Sequence, residues 1–229
     1  MVVGNGLIAT IFRQFQEEKR VTVFASGVSN SLETSEAEFA RELDLVRKHI
    51  SPESTFVYFS TISVFDKSLE ESHYIRHKLD VERLIAASCE RFIIIRLPNV
   101  VGRSTNPYTL TNHLFDRIRQ NLPVEIHRYA SRHLIDADDV GSFVSRLIRS
   151  EKTLNSATNV CLDNKMGISD LVDIFEEVLG KKAVRILADK GADYDVDNTT
   201  FLSFLSEVEY SGSKRYNHDL IKKYYSGRL

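Results

Sequence analysis

The feature that most constrains this chain is an apolar strand that ends in hydroxyl side chains and is followed by a helix carrying Tyr74 and Lys78. Residues 56–59 form the apolar run, and Ser60 and Thr61 follow directly. Because residues four apart share one face of a helix, Tyr74 and Lys78 are expected to act as a pair. The carboxyl end of a strand opens into the crevice where open α/β sheets bind ligands. The pattern therefore predicts hydroxyl, phenol and ammonium groups together at one sheet edge.

This set of groups is suited to proton transfer. A free phenol has a pKa of ~10, and lowering that pKa to ~7 needs roughly 4 kcal/mol of preferential stabilisation of the phenolate. The Lys78 ammonium would supply part of this stabilisation if it lay a few ångströms away. Thr61, or Ser60 or Ser63 beside it, would hydrogen-bond the substrate oxygen. We therefore predict general acid and base chemistry for the interconversion of an alcohol and a ketone.

A simpler interpretation of Tyr74 and Lys78 is a solvated helix face with an aromatic anchor. The chain contains a second Tyr-x-x-x-Lys pattern, at Tyr210 and Lys214, which no strand and hydroxyl cluster precedes. The spacing alone is therefore weak evidence, and the surrounding stretches must separate the two interpretations.

The N-terminus indicates a short strand, a tight glycine turn and the beginning of a helix. Glycines let the backbone approach a pyrophosphate closely, and N-terminal helix amides attract its charge. The turn has the pattern G-x-G-x-x-A, which ends at Ala9. An ordinary strand-to-helix turn is the alternative. The cofactor-binding residues predicted here are Gly4, Asn5, Gly6, Leu7 and Ile8.

Three further stretches occur in order along the chain, at residues 21–31, 92–102 and 131–140. The first is similar to the strand and loop that face the nicotinamide in extended short-chain dehydrogenases/reductases. The second resembles their "R-x-x-N-V-Y-G" strand. The third resembles the "R-D-F-I-H-V-D-D-V" stretch of nucleotide-sugar epimerases and dehydratases. With Tyr74 and Lys78, the chain resembles the NAD-dependent epimerase/dehydratase branch of that superfamily.

The resemblance implies NAD or NADP as cofactor, a nucleotide-sugar substrate, and epimerisation, reduction or dehydration as the reaction. The catalytic residues that it implies are Thr61, Tyr74 and Lys78. It adds further cofactor-binding residues, namely Ala25, Ser26, Ser60, Lys78 and Pro98. The substrate-binding residues that it implies are Ser63, Asn99 and Arg132. It also implies a possible homodimer formed through the helices near residues 36–48 and 72–88.

Alternating strands and helices predict an α/β fold with a parallel sheet. The predicted strands lie near residues 1–3, 21–25, 56–60, 92–97 and 157–162. The predicted helices lie near residues 7–18, 35–48, 72–88, 110–120, 138–149 and 170–179. We expect an abbreviated Rossmann-like nucleotide-binding domain at residues 1–155. A small C-terminal α+β substrate-binding part at residues 156–229 is expected to pack with it as one unit.

The interval from Gly6 to Ser60 has room for one helix, one strand and a second helix. A βαβ unit takes roughly 30 residues or more, so Rossmann strands 2 and 3 are predicted to be missing. The acidic residue that ends the second strand and binds the adenosine ribose then has no counterpart. The choice between NAD and NADP stays open, and so does the alternative that cofactor binding is weak or absent. A second hypothesis is therefore a catalytically lapsed nucleotide-sugar-binding or scaffolding protein.

Composition argues against nucleic-acid-binding, disulfide-rich and membrane-spanning classes of protein. The formal net charge of −2 gives no electrostatic footprint for nucleic acid. Cys89 and Cys161 have no disulfide-framework or metal spacing, and apolar stretches are shorter than the ~20 residues that span a membrane. We expect a cytoplasmic protein without a signal peptide and without a metal, although His73 and His77 lie four residues apart. Two local features are also predicted, a helix cap at Asp138 or Asp139 in the acidic group with Asp136, and a cap at Ser169 with a helix stop at Gly180.

Overall fold

The computed structural model describes residues 1–207 and 215–228. Its strands in chain order are β1 (Val2–Val3), β2 (Val21–Phe24), β3 (Thr55–Thr61), β4 (Phe92–Leu97), β5 (Asn99–Val101), β6 (Pro123–His127), β7 (Ser131–Arg132), β8 (Leu134–Asp136), β9 (Ser156–Asn159), β10 (Met166–Gly167) and β11 (Val184–Ala188). Its α-helices are α1 (Leu7–Ile11), α2 (Glu36–His49), α3 (His73–Ser88), α4 (Leu110–Arg119), α5 (Ala137–Ser150), α6 (Ile168–Leu179), α7 (Thr199–Glu207) and α8 (Tyr216–Tyr225). Short 3₁₀ turns lie at Arg13–Phe15, Ile62–Phe65 and Lys67–Leu69.

The main sheet has five parallel strands in the order β1-β2-β3-β4-β9. Strands β3 and β4 are continuous apolar runs because helices cover both faces of the sheet. On one face, α1 and α5 pack over a core that includes Val57, Ile93 and Ile95. On the other face, Phe56, Tyr58 and residues of α2 and α3 form a second core. The predicted α/β, Rossmann-like sheet is confirmed.

The first strand is an edge of this sheet. A complete Rossmann sheet has the order 3-2-1-4-5-6, so two further strands would lie outside β1. Here β1 pairs directly with β2, and Val2 lies opposite Val23. The predicted loss of strands 2 and 3 is confirmed, because the chain passes from α1 into β2 without returning to that edge.

Strands that precede residue 155 pair with strands that follow it. Strand β9, which begins at Ser156, is the outer strand of the main sheet beside β4. Strand β11 pairs with β6, and β10 pairs with β7. The C-terminal helices α6 and α8 pack on α4 and β6 through Phe175, Ile221 and Tyr225. The division into residues 1–155 and 156–229 stays a prediction about function.

Several predicted boundaries were wrong. The helix expected to reach residue 18 ends at Ile11 and continues only as a 3₁₀ turn, since the chain must return to begin β2. The strand predicted at residues 157–162 runs instead from Ser156 to Asn159. Ser169 lies inside α6, whose N-cap is Gly167. The predicted stop at Gly180 is confirmed, because Gly180 has φ 61° in the left-handed region.

The acidic group at the start of α5 also differs from the prediction. Asp136 is the N-cap, and its side chain accepts a hydrogen bond from the Asp138 backbone N–H at 2.9 Å. Asp138 and Asp139 lie in the first turn. The Lys223 ammonium of α8 contacts Asp136 at 2.6 Å and Asp138 at 2.7 Å. The carboxylates therefore fix α8 against the start of α5.

Candidate active site

The carboxyl ends of β1, β2 and β3 lie at one edge of the sheet because the strands are parallel. The glycine turn follows β1, the loop from Ala25 follows β2, and Thr61 is the last residue of β3. Helix α3 begins beyond the 3₁₀ turns that follow β3 and carries Tyr74 and Lys78 in its first turns. The structure thus brings the three residues predicted as catalytic to the same edge.

Tyr74 is a buried phenol next to Thr61. Burial and the negative charge of Glu42 raise the pKa of Tyr74 well above its ordinary value, and a hydrogen bond with Thr61 opposes that rise. Thr61 Oγ1 also accepts the Ser63 backbone N–H at 3.0 Å, which fixes the threonine side chain. The expected lowering of its pKa by Lys78 is not found.

Lys78 is buried, and its charge is paired. Its Nζ donates to Glu42 Oε1 at 3.1 Å and to the Tyr58 hydroxyl oxygen at 3.0 Å. The same nitrogen lies 5.8 Å from the centre of the Tyr74 ring. Burial lowers the pKa of Lys78, while Glu42 raises it. An ammonium has three N–H donors, so one remains for a further acceptor.

The two glycines of the N-terminal turn differ in what surrounds them. Gly4 has φ +126°, and a Cβ added there would lie 2.3 Å from the Ala25 carbonyl oxygen. Glycine is therefore required at position 4 for the turn to pack against the end of β2. A Cβ added at Gly6 would meet nothing within 4 Å. The open space above Gly6 is compatible with the approach of a cofactor.

The other residues predicted to bind cofactor surround this edge. Asn5 is exposed, while Leu7, Ile8, Ala25, Ser26 and Pro98 are half-buried. Leu7 packs on Gly102, and the Ser26 carbonyl oxygen accepts from Arg41 at 3.3 Å. Ser60 Oγ is buried without a hydrogen-bond partner among the described residues. This orphaned hydroxyl and the open space at Gly6 fit a polar cofactor at the edge.

The predicted substrate-binding residues lie farther along the edge. Asn99 Nδ2 donates to the His133 carbonyl oxygen at 3.3 Å. Arg132 Nη1 lies 3.8 Å from the buried carboxylate of Asp66. Burial raises the pKa of Tyr194, and both Arg132 and Ser63 oppose this rise. Ser63 and Arg132 are therefore brought together around Tyr194, whereas Asn99 is held by the backbone beside them.

The two histidines four residues apart have different surroundings. His73 is exposed, whereas His77 is buried with Nε2 2.9 Å from Glu42 and its ring stacked on Phe39. Within residues 1–207 and 215–228, no group of three or more metal-ligating side chains is found.

The second Tyr-x-x-x-Lys pattern, at Tyr210 and Lys214, lies outside the described residues. None of the helices in the described part combines the length and apolarity of a membrane crossing.

Sequence reasoning missed Glu42 and Gly27. Glu42 is completely buried, and its Oε2 accepts the Val28 backbone N–H at 2.6 Å. A Cβ added at Gly27 would lie 2.8 Å from both the Glu42 carboxylate and the Lys78 ammonium. A signal was present, since Glu42 lies three residues after Phe39 and four before Val46 on the apolar face of α2.

The comparisons with known proteins agree with this geometry. Residues 32–161 match the NAD dependent epimerase/dehydratase family, and this match includes Thr61, Tyr74, Lys78 and Arg132. The chain belongs to the NAD dependent epimerase/dehydratase family, as the resemblance predicted. A comparison with curated proteins finds no match.

Several solved structures have a similar fold. The UDP-glucuronic acid 4-epimerase of Bacillus cereus, in complex with UDP-glucuronic acid and NAD, is 18% identical, with a TM-score of 0.71 over 93% of this chain and 76% of its own. The UDP-glucose 4-epimerase of Thermus thermophilus, in complex with NAD, is 15% identical, with a TM-score of 0.70 over 98% and 84%. RMD from Pseudomonas aeruginosa, complexed with NADPH, is 17% identical, with a TM-score of 0.67 over 99% and 88%. At these identities the likeness shows the fold.

Proposed function

We propose that this chain is an NAD(P)-dependent enzyme that oxidises, reduces, epimerises or dehydrates a nucleotide-activated sugar. The main support for this proposal is that Thr61, Tyr74 and Lys78 lie at the same edge of the sheet as the glycine turn. Similar structures contain NAD or NADPH, and one contains UDP-glucuronic acid. The proposed cofactor contacts are the backbone at Gly6, the Ser60 hydroxyl and the remaining N–H of Lys78.

In this proposal the side chains handle the proton. A bound nicotinamide supplies hydride transfer to or from a sugar carbon. Tyr74 holds the proton exchanged with the sugar oxygen, and Thr61 hydrogen-bonds that oxygen and keeps it beside the phenol. Arg132 and Asn99 are proposed to bind the diphosphate, because a guanidinium binds two phosphate oxygens at once. We also propose a homodimer formed through α2 and α3, as the family resemblance implies.

Ligand binding is the first test. NAD(H) and NADP(H) are titrated separately against the purified protein by thermal shift, and UDP-, GDP- and dTDP-sugars follow. A ligand at one hundred times its dissociation constant raises stability by ~2.7 kcal/mol. Stabilisation by a nicotinamide dinucleotide supports the enzyme, and no stabilisation by any of them contradicts it.

The role of Tyr74 is tested by replacing it with Phe. Turnover is expected to be lost, while cofactor affinity is nearly unchanged because only the hydroxyl is removed. Tyr129→Phe is the matched control, since Tyr129 is 59% exposed and lies in the loop between β6 and β7. Retained turnover in Tyr74→Phe would exclude Tyr74 from the mechanism.

A second candidate function has its own structural support. The absence of strands 2 and 3 removes the part of the sheet that binds the adenosine ribose. A protein that binds nucleotide sugars without a cofactor is therefore the alternative. It predicts stabilisation by a nucleotide sugar and none by any nicotinamide dinucleotide.

A further inference from the structure

A groove of about 380 Å³ lies between α5 and the segment formed by α1 and the 3₁₀ turn after it. Gly141 of α5 lies against Ile11 of α1, and a Cβ added to this glycine would be 2.8 Å from the Ile11 side chain. The two helices are therefore in contact at this point. The groove follows the line between them, and the side chains that come after Gly141 on α5 form one of its walls.

This wall of α5 is polar. It consists of Ser142, Ser145, Arg146 and Arg149, whose spacing of three and four residues places them on one helix face. Ser145 is buried, and its Oγ accepts a hydrogen bond from Gln14 Nε2 at 2.8 Å. A helix face with this spacing is ordinarily apolar where it packs on a neighbour. Here it presents hydroxyl and guanidinium groups to the groove instead.

The two guanidiniums in the groove are not neutralised by the protein. Arg146 and Arg149 form no ion pair with any residue in the described ranges, 1–207 and 215–228. The acidic side chains near the end of α5 are paired with other bases, Glu151 with Arg91 and Glu207 with Lys152. The groove therefore has two uncompensated positive charges on one wall.

Helix stability does not account for both arginines. The helix macrodipole favours a cation in the last turn, where Arg149 lies. Arg146 adds a second positive charge three residues earlier, and like charges that are neighbours on a helix face destabilise the helix. The Arg149 guanidinium also lies 5.5 Å from the centre of the Phe15 ring. An aromatic contact of this kind leaves the N–H donors of a guanidinium available to an acceptor.

The one acidic residue that lines the groove lies at its other end. Asp138 contacts the Lys223 ammonium at 2.7 Å, which balances its charge. It precedes Arg146 by eight residues, or about 12 Å along the helix axis at ~1.5 Å per residue. This separation exceeds the Debye length of ~10 Å at 0.1 M salt. The arginine end of the groove is therefore the part that attracts an anion.

We propose that the groove between α1 and α5 binds a phosphate dianion, either free or as the monoester of a small molecule. Arg146 and Arg149 would donate to the phosphate oxygens, because guanidiniums match phosphate geometry, and Ser142 adds a hydroxyl donor. The volume is within the range of small-molecule sites, ~300–1,000 Å³, and Ile11 gives an apolar contact for the rest of an ester. This site is separate from the proposed cofactor and nucleotide-sugar site, and the inference does not depend on the proposed function.

The test is isothermal titration calorimetry of the ligand-free protein with inorganic phosphate and with glucose 6-phosphate, at constant ionic strength balanced with chloride. Saturable binding is expected for at least one of them, and none for glucose. Tighter binding of glucose 6-phosphate would assign the groove to a phosphate monoester, and equal binding would assign it to free phosphate. No saturable binding of either probe would overturn the proposal.

Variants then locate the binding. Arg146→Gln and Arg149→Gln are each expected to weaken phosphate affinity about tenfold or more, because each removes a charge-assisted hydrogen bond. Arg47→Gln makes the same change in charge at an exposed position of α2, on the other face of the sheet, and should bind phosphate like wild type. Unchanged affinity in Arg146→Gln/Arg149→Gln would overturn the proposal.

Two further variants remove the remaining ambiguities. Ser142→Asp places a carboxylate one turn before Arg146 at an exposed position, so the fold should persist while phosphate affinity falls at least about tenfold. This variant keeps the test decisive if Arg149→Gln disturbs the packing on Phe15. Arg132→Gln removes a proposed diphosphate contact at the sheet edge and should retain phosphate binding in the groove. Loss in Arg132→Gln together with retention in Ser142→Asp would place the phosphate at the sheet edge and overturn the proposal.

Discussion

The two glycines of the N-terminal turn provide a sharp test of the architecture, because one substitution, glycine to alanine, meets opposite surroundings at positions 4 and 6. At Gly4 the added Cβ lies 2.3 Å from the Ala25 carbonyl oxygen, and φ is +126°. At Gly6 the Cβ meets nothing within 4 Å, and φ is −78°. Gly4→Ala is therefore expected to destabilise the fold, whereas Gly6→Ala is expected to leave it intact.

The magnitudes follow from the two causes at Gly4. A non-glycine residue in a rare backbone region costs ~1–3 kcal/mol, and the shift of β2 needed to relieve the contact costs ~1–3 kcal/mol more. Gly4→Ala should then lose ~2–6 kcal/mol. At Gly6, alanine is a poorer N-cap by ~1 kcal/mol, while reduced freedom of the unfolded chain returns ~0.4–1 kcal/mol. Gly6→Ala should change stability by less than ~1 kcal/mol.

Urea unfolding of the ligand-free variants measures both changes. For a chain of this length, ~2 kcal/mol corresponds to a fall of at least ~4 °C in Tm, so thermal unfolding serves as a check. The proposed cofactor adds a second readout, because Gly6→Ala fills the open space and should weaken nicotinamide binding without loss of stability. Equal stabilities of the two variants, or a larger loss in Gly6→Ala, would refute the assignment of Gly4 to packing and of Gly6 to ligand approach.

Two further outcomes test the C-terminal packing. Burial opposes ionisation of Glu176, but its hydrogen bonds to two basic side chains and a backbone N–H lower its pKa from 4.5 to about 2. Its contribution to stability is therefore complete above the unfolded pKa and is lost as the pH falls toward 2. Urea unfolding at about pH 7 and about pH 3 should show that the gap between wild type and Glu176→Gln narrows in acid, and a constant gap would contradict this. Tyr225→Phe removes the hydroxyl that donates to the buried Asn112 amide oxygen at 2.7 Å, so the free energy of unfolding is expected to fall by ~1–3 kcal/mol. Tyr129→Phe, at an exposed position, should lower it by less than ~0.5 kcal/mol. Equal losses in the two variants would contradict this expectation.

The sheet could be predicted from the sequence because its strands are covered on both faces. The apolar runs at Thr55–Thr61 and Phe92–Leu97 leave little alternative to buried parallel strands. The short interval before Thr55 then limits how many strands can precede it. Chain length and burial together therefore predicted both the sheet and the missing strands.

Helix ends were less predictable because several residues near each start have suitable side chains. Asp136, Asp138 and Asp139 all have a carboxylate, but only Asp136 has extended backbone next to the first turn of α5. That position is set by where β8 ends, and β8 exists only because it pairs with β5. Tertiary pairing therefore decided a local feature.

In the candidate site, too, local features could be predicted from the sequence, whereas features set by tertiary packing could not. Tyr74 and Lys78 could be predicted to share a helix face because the spacing of four is a property of the helix itself. Glu42 could not be placed beside them from spacing, because it reaches Lys78 from another helix. Glu42 also pairs with the Lys78 ammonium at 3.1 Å, a buried partner that the sequence pattern around Tyr74 does not reveal. The electrostatics of the site were therefore the part that required coordinates.

The loss of strands 2 and 3 also sets an expectation for cofactor affinity. A hydrogen bond to a charged group contributes ~1.5–3 kcal/mol, so a site without the carboxylate that binds the adenosine ribose should bind a dinucleotide about 10- to 100-fold more weakly. The residues proposed to contact the nicotinamide, Ser60, Tyr74 and Lys78, depend on β3 and α3 and not on the missing strands. If this division is correct, nicotinamide mononucleotide should bind nearly as tightly as the dinucleotide. A dinucleotide affinity more than about 100-fold higher would show that other residues have replaced the adenosine contacts.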